Sequence, residues 1–286
     1  MTMNGGRALV LGGGGVAGIA WEAGLLAGLA EQGVDLTGAD LFVGTSAGSV
    51  VGSFAAHGAD MTEAVRRMSA RAEGDGRGTA PADVDLNVVL QAFAILYDAS
   101  LDPQEARARV GRMALEAETE AMAAVLEEVG TRLPSQEWPD RRLLITGVDV
   151  EDGSFVVWDG SSSVPLALAV RASCTVPCVF PPVAIDGRRY MDGGCRSVTN
   201  ADLAKGAAAV VIVEPMAHLT PRATLEKELA ELGDARTVAI GPDQATMETF
   251  GADLLSPKLW GPAFDAGLRQ ASAVTDDVRK AWEPSV

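Results

Sequence analysis

Arg7 to Leu11 form a short apolar run that ends abruptly in four consecutive glycines, Gly12 to Gly15. After Gly18 the chain turns helical, from about Ile19 to Gln32, and Gly33 closes that helix as a C-terminal cap. A strand that opens into glycine and returns through a helix constrains the fold more than any other feature here. It demands a sheet for the strand to join and a layer for the helix to cover. The pattern then repeats. Leu41, Phe42 and Val43 make a brief second strand running into Gly44-Thr45-Ser46, and Ala47 to Ala56 reads as a buried helix of small residues. Leu143 to Val150, Val210 to Val213 and Thr237 to Ile240 read as further strands, the last two buried. Phe155 to Trp158 is the expected partner of Leu143 to Val150 across an Asp152-Gly153 turn. Such alternation predicts an α/β fold with a mostly parallel sheet.

Between the second and third strands the alternation stops. Asp60-Met61-Thr62-Glu63 is a capping-box pattern and opens a helix. Glu73 to Pro81 is rich in glycine and charge and reads as a mobile loop. Leu86, Val89, Leu90, Phe93 and Tyr97 recur at helical spacing. Asp102-Pro103-Gln104-Glu105 caps a second helix, read as running to Val129 with Ala106, Val110, Met113, Ala117, Ala121 and Val125 as its apolar stripe. The two helices are expected to form an inserted hairpin at about 84–130, packed on the sheet or serving as a lid. A last helix is expected from Phe264 to Trp282. With no repeat and no convincing linker, residues 1–286 are expected to form one domain.

Composition narrows the function. The chain has 286 residues, 48% hydrophobic and 22% charged, with a formal net charge of −16. An acidic balance of that size disfavours nucleic acid and anionic lipid headgroups as partners. The second inserted helix adds Glu116, Glu118, Glu120, Glu127 and Glu128, so any peripheral membrane contact is expected to be weak or apolar. Cys174, Cys178 and Cys195 are too few and odd in number for a disulfide framework and read as reduced thiols. Only His57 and His218 could serve as imidazole ligands, so no metal is expected; a cofactor is not expected either. No segment approaches the roughly 20 apolar residues of a spanning helix, and a cytoplasmic protein is expected.

Two motifs carry chemistry. Gly44-Thr45-Ser46-Ala47-Gly48 matches the G-x-S-x-G nucleophile elbow, a strand-to-helix turn so tight that the serine's neighbours must be nearly bare. The elbow sets Ser46 at a helix N-terminus, where partial positive charge favours an oxyanion. Gly12 to Gly15 let successive backbone amides converge on one point, the geometry that stabilises a tetrahedral intermediate. The same glycines satisfy G-x-G-x-x-G through Gly13, Gly15 and Gly18, which opens a dinucleotide-binding oxidoreductase reading. That fingerprint wants an acidic residue at the end of the second strand, where this chain has Gly44-Thr45-Ser46. For the base, the order Ser46, Asp192, His218 would suit a triad, but only one strand precedes the elbow and His218 reads as a solvated loop residue.

Gly13-Gly14-Gly15-Val16-Ala17-Gly18, Gly44-Thr45-Ser46-Ala47-Gly48 and Asp192-Gly193-Gly194 resemble, in the same order, the three signatures of the patatin-like phospholipases. The segments Ala172 to Pro182 and Gly187 to Asp192 also resemble that family's approach to its Asp-Gly motif. The resemblance implies a three-layer α/β/α fold and lipid acyl hydrolysis by a Ser46–Asp192 dyad through an acyl-enzyme. Gly13, Gly14 and Gly15 would supply oxyanion amides, supported by Gly44, Ala47, Gly48, Gly193 and Gly194, with no histidine and no metal. An acyltransferase using the same dyad and a silent lipid-binding relative are the alternatives. Two positions depart from the family pattern. Ala17 stands where a basic residue is usual, and Trp21 stands where a histidine is common, which sets a neutral ester or lysolipid beside phospholipid as the substrate.

Overall fold

The computed structural model describes residues 5–74 and 86–283. Eight strands form one sheet: β1 (Arg7–Leu11), β2 (Leu41–Gly44), β3 (Arg142–Asp149), β4 (Phe155–Trp158), β5 (Val183–Ile185), β6 (Arg188–Asp192), β7 (Ala209–Val213) and β8 (Arg236–Ile240). Their order is β5-β6-β3-β2-β1-β7-β8, with β4 also paired to β3. The five strands β3, β2, β1, β7 and β8 are parallel, whereas β4, β5 and β6 join antiparallel.

The helices are α1 (Gly15–Glu31), α2 (Ala47–His57), α3 (Met61–Gly74), α4 (Leu86–Leu96), α5 (Pro103–Glu116), α6 (Ala123–Thr131), α7 (Leu166–Ser173), α8 (Arg222–Glu231), α9 (Gln244–Phe250) and α10 (Trp260–Trp282). Alternate strand residues face opposite layers. Leu9 and Leu11 pack with residues of α1, α2, α7 and α10, while Ala8, Val10, Val210 and Ile212 pack with Ala201, Ala204, Leu225 and Leu232 on the far side. Covering both faces explains why the inner strands are continuously apolar rather than alternating. The result is the three-layer α/β/α arrangement with a mostly parallel sheet.

Helix α1 lies against α10 closely enough that side chains are excluded from the contact. A Cβ on Gly24 would sit 2.1 Å from the Phe264 carbonyl oxygen, and one on Gly267 would sit 2.2 Å from that of Trp21. At the far end of β3, α4 and α5 cover a separate small core of Ala92, Val110, Val148, Val150, Met191 and Cys195.

Three expectations need correction. Helix α1 begins at Gly15, so the glycine loop runs directly into it rather than through a spacer to Ile19. The helix read as running from Pro103 to Val129 stops at Glu116, where Ala117 turns extended and its amide closes the last turn on Met113. Of its expected apolar stripe, Ala106 and Val110 are buried, whereas Ala121 and Val125 in the second half are exposed and the neighbouring Met122 and Leu126 face inward in their place. Gly111 is pressed under Val150 at the sheet end, whereas Met122 and Leu126 of the second half join the main core and α6 meets α7 through Gly130 beside Arg171. Tertiary packing overrides a local period that had no break in it. Strand β8, expected to be buried, is the sheet edge, with Arg236, Thr237 and Ala239 exposed. The loop expected at Glu73 to Pro81 lies almost wholly outside the described residues, Glu73 and Gly74 being the last residues of α3.

The α1–α10 contact gives a direct test. Gly267→Ala forces a methyl group onto a backbone carbonyl, and over-packing of this kind costs about 1–3 kcal/mol. Urea unfolding should show the midpoint lowered accordingly, while Gly233→Ala, where nothing lies within 4 Å but φ is +63°, should show the smaller loss of backbone strain alone.

Candidate active site

β3 acts as a ruler that brings two distant segments together. On the edge of β3 opposite β4, β2 pairs Gly44 with Ile145, and β6 pairs Asp192 with Gly147. The two strands run toward each other along this edge and stop two β3 positions apart. The chain leaves β2 through Thr45 and Ser46, and Asp192 ends β6, so Ser46 and Asp192 emerge into the same gap.

Ser46 has φ +52° and ψ −118°, a conformation costly for a residue with a side chain. Several bonds hold it there. Its amide donates to Ser173 Oγ (2.9 Å), and its carbonyl accepts from Ser49 Oγ (2.6 Å) and Cys174 Sγ (3.4 Å). The Thr45 amide donates to the Leu11 carbonyl (3.1 Å) and the Gly48 amide to the Gly12 carbonyl (2.9 Å). These last two tie the elbow to the end of β1, and a Cβ on Gly48 would lie 2.0 Å from the Leu11 oxygen.

Asp192 is buried; its carboxylate accepts a hydrogen bond from the Gly194 amide (2.7 Å) and faces the Ser46 hydroxyl, which favours its charged form. Burial pushes its pKa up to about 7, against the smaller opposing effect of those two donors. Its own amide donates to the Thr175 carbonyl (2.9 Å), so the segment after α7 braces both residues. Around them lies a buried polar network. Thr45 Oγ1 and Thr146 Oγ1 are 2.9 Å apart, and Asn200 Nδ2 donates to Thr45 Oγ1 (3.0 Å) and to the Ser197 carbonyl (2.7 Å). Arg196 in turn bonds Asn200 Oδ1 and, bidentately, Asp202.

The glycine loop runs past the serine. A Cβ on Gly13 would be 3.5 Å from Ser46 Cβ. The Gly13 amide points to the Val198 carbonyl (2.8 Å), whereas Gly15 is the first residue of α1, a position whose amide has no acceptor inside the helix. Among the described residues no backbone acceptor is paired with the Gly14 or Gly15 amide. Gly44, Ala47, Gly48, Gly193 and Gly194 all fall within this assembly, Gly193 lying hard against Thr146. His218 follows β7, is partly exposed and has its pKa lowered by partial burial. His57 sits at the end of α2 with Nδ1 2.7 Å from the Ser53 carbonyl.

Both departures from the family pattern have packing causes. Ala17 is fully buried with its amide on the Leu254 carbonyl (3.0 Å), leaving no space for a long basic side chain. Trp21 is fully buried, donates from Nε1 to Gln270 Oε1 (3.2 Å) and meets Phe250 edge to face.

One residue near the loop gave no sequence signal. Glu22 is fully buried on α1, and neither of its carboxyl oxygens has a hydrogen-bond partner among the described residues. The Gly12 amide, which faces it and slightly favours its charge, is given to the Val213 carbonyl (2.9 Å). Burial therefore raises its pKa well above the usual carboxyl range. A glutamate in an otherwise small, apolar helix marks such a site only once the helix is known to be covered on all sides.

The family model for patatin-like phospholipase matches residues 9–205. Among solved structures, VipD from Legionella pneumophila is 14% identical with a TM-score of 0.46, the match covering 96% of this chain and 67% of that one. ExoU in its complex with SpcU from Pseudomonas aeruginosa is 17% identical with a TM-score of 0.44, covering 100% of this chain and 53% of that one, so this chain spans about half of ExoU's length. No curated protein matches the chain.

The raised Glu22 pKa fixes the sign of a pH effect on stability. Below the unfolded value of about 4.3 both states are neutral and nothing is lost. As pH rises, the unfolded chain ionises while the buried group stays protonated, so stability falls until the folded pKa is reached. Glu22→Gln removes that slope. Thermal melts at pH 5 and pH 8 should show the variant gaining on the wild type between the two; parallel curves would disprove the buried neutral carboxyl. With the glycine loop, elbow and Asp-Gly motif joined in one place and a family model matching most of its length, the chain belongs to the patatin-like phospholipase family.

Proposed function

We propose that the protein is a serine-dependent lipid acyl hydrolase that cleaves fatty acyl esters through a Ser46–Asp192 dyad. The observation that carries this reading is the convergence of Ser46 and Asp192 in one gap beside β3, with the Ser46 hydroxyl facing a buried carboxyl whose pKa is raised to about 7. A free aspartate, with a pKa near 3.9, is too weak a base at neutral pH; one poised near 7 can take a proton and return it.

Ser46 Oγ attacks the ester carbonyl carbon as its proton passes to Asp192. The resulting oxyanion is held by the amides of Gly14 and Gly15, and by that of Gly13 once it leaves Val198. Collapse expels the alcohol, which takes the proton from Asp192 and leaves an acyl-enzyme on Ser46. Water then attacks that ester with Asp192 again accepting the proton, and Ser46 departs with the proton as the fatty acid forms. Each oxyanion donor is worth roughly 3–4 kcal/mol in hydrolases of this kind. The buried alanine at position 17 supports an ester without a tightly held phosphate, a neutral ester or lysolipid rather than a diacyl phospholipid.

The dyad makes distinct kinetic predictions. Ser46→Ala and Asp192→Asn should each remove turnover of p-nitrophenyl butyrate by at least about a thousandfold while leaving the circular dichroism spectrum intact. His218→Ala should stay within about twofold, and a large loss there would favour a triad. For the wild type, kcat/KM should rise with pH as Asp192 ionises and level off above about 7. A profile flat from pH 5 to 9 would remove Asp192 as the base. Because ionising Asp192 is unfavourable in the fold, Asp192→Asn should be at least as stable as the wild type at pH 8 and should lose that advantage near pH 4.

A further inference from the structure

Helix α4 carries no Asp, Glu, Lys or Arg in its eleven residues, LNVVLQAFAIL. It is apolar on two faces. The inner face puts Ala92, fully buried, with Ile95 and Leu96 into the small core at the end of β3. The outer face carries Leu90, Phe93, Ala94 and, just past the helix end, Tyr97, at the i, i+3, i+4, i+7 spacing of a single stripe. Among the described residues nothing covers this outer stripe: Leu90 is 66% exposed and Tyr97 38% exposed, with the Phe93 and Tyr97 rings stacked 6.2 Å apart between their centroids. A helix apolar all round is normally buried on all sides. Here, among the described residues, one side is left open, and it lies beside the segment that follows Asp192. Leu96 and Tyr97 line a cavity of about 60 Å³ together with Gly194, of the Asp-Gly motif, and Val198, which holds the Gly13 amide.

We propose that the outer stripe of α4 docks on the surface of a lipid aggregate without net charge, such as a phosphatidylcholine bilayer or micelle, and brings the dyad to substrate there. The proposal rests on the acyl hydrolase reading. Charge selects the occupant. The helix itself is neutral, and α5 beside it nearly balances Arg107, Arg109 and Arg112 against Glu105 and Glu116. Of these arginines, Arg107 is tied to the Gly153 carbonyl and Arg109 to Glu105. The chain as a whole carries −16, so an anionic surface is repelled while a zwitterionic one offers apolar burial without that opposition.

The test separates docking from chemistry. Ser46→Ala protein, unable to consume lipid, is sedimented with phosphatidylcholine vesicles and with vesicles rich in phosphatidylglycerol. It should bind the zwitterionic vesicles better, and adding Leu90→Asp should weaken that binding about tenfold or more, as expected for losing one buried leucine and adding a charge. In the active background, Leu90→Asp should keep wild-type turnover of dissolved p-nitrophenyl butyrate and lose about tenfold or more on a neutral ester or lysolipid carried in phosphatidylcholine vesicles. The soluble ester also reports folding; should Leu90→Asp fail on it, Leu90→Ser takes its place with the same expected split. Docking is overturned by no binding to phosphatidylcholine, by equal binding with and without the Leu90 substitution, by binding to anionic vesicles alone, or by a dimer in ultracentrifugation that the substitution dissociates. Vesicle binding that depends on Leu90 in a protein with no ester turnover would instead strike the hydrolase reading and leave the surface standing.

Discussion

The approach of α2 to the end of β1 governs the geometry of the whole site. The Gly48 amide reaches the Gly12 carbonyl, and the Thr45 amide reaches that of Leu11. No side chain could fit at Gly48 without striking the Leu11 backbone. Through these bonds the glycine loop and the elbow become one rigid unit, so any change in where α2 begins moves the loop amides together with the serine. The left-handed backbone of Ser46 costs about 1–3 kcal/mol in isolation. The Ser173 hydroxyl on its amide and the Ser49 hydroxyl on its carbonyl help to offset that cost. Strain at the nucleophile is thus held by a neighbouring strand and by α7, elements that serve packing as much as chemistry.

Burial does different work at the two carboxyls near this unit. Asp192 and Glu22 are both removed from water, and both have raised pKa values with burial as the main cause. The charged form of Asp192 is favoured by the Gly194 amide and the facing Ser46 hydroxyl, which oppose burial and leave its pKa at about 7. Glu22 has no hydrogen-bond partner on either oxygen among the described residues, and burial raises its pKa well above the usual carboxyl range.

The motifs, the parallel strands and the tight turn at Ser46 were legible because each is short and local: an apolar run, a glycine cluster, a strand-to-helix elbow. The meeting of Ser46 with Asp192 was legible only through family resemblance, since the cause is the register of β3 against both β2 and β6 and nothing in either local sequence encodes it. The end of α5 was illegible for a related reason. Its apolar stripe continues through Ala117 and Ala121, and the break appears only when Val110 and Leu126 are seen to enter different cores. The support of Thr45 by Asn200 and of the Ser46 amide by Ser173 left no trace either, because serine and asparagine in loops and at helix ends have many ordinary uses. Glu22 gave no signal, because the covering of its helix on that side is not written in the local sequence.

The electrostatics of the oxyanion follow from what the two helix starts lack. Helix α1 begins at Gly15 and α2 at Ala47, with Gly14 and Ser46 as their cap residues, and neither cap forms a side-chain hydrogen bond to its helix. Neither helix has an acidic residue in its first turn. Helix N-termini normally recruit Ser, Thr, Asp or Asn to satisfy their free amides, and each holds roughly half a positive charge. Here the Ser46 hydroxyl turns away toward Asp192, and glycine has nothing to offer. The two positive ends therefore converge on Ser46 without a resident anion. An ionised Glu22, less than two turns into α1 and facing the Gly12 amide, would cancel much of that field, and burial in an apolar layer opposes that charge. In the proposed reaction, negative charge developing on a bound ester would complete both helix caps, so that its stabilisation would belong to the transition state rather than to the resting protein.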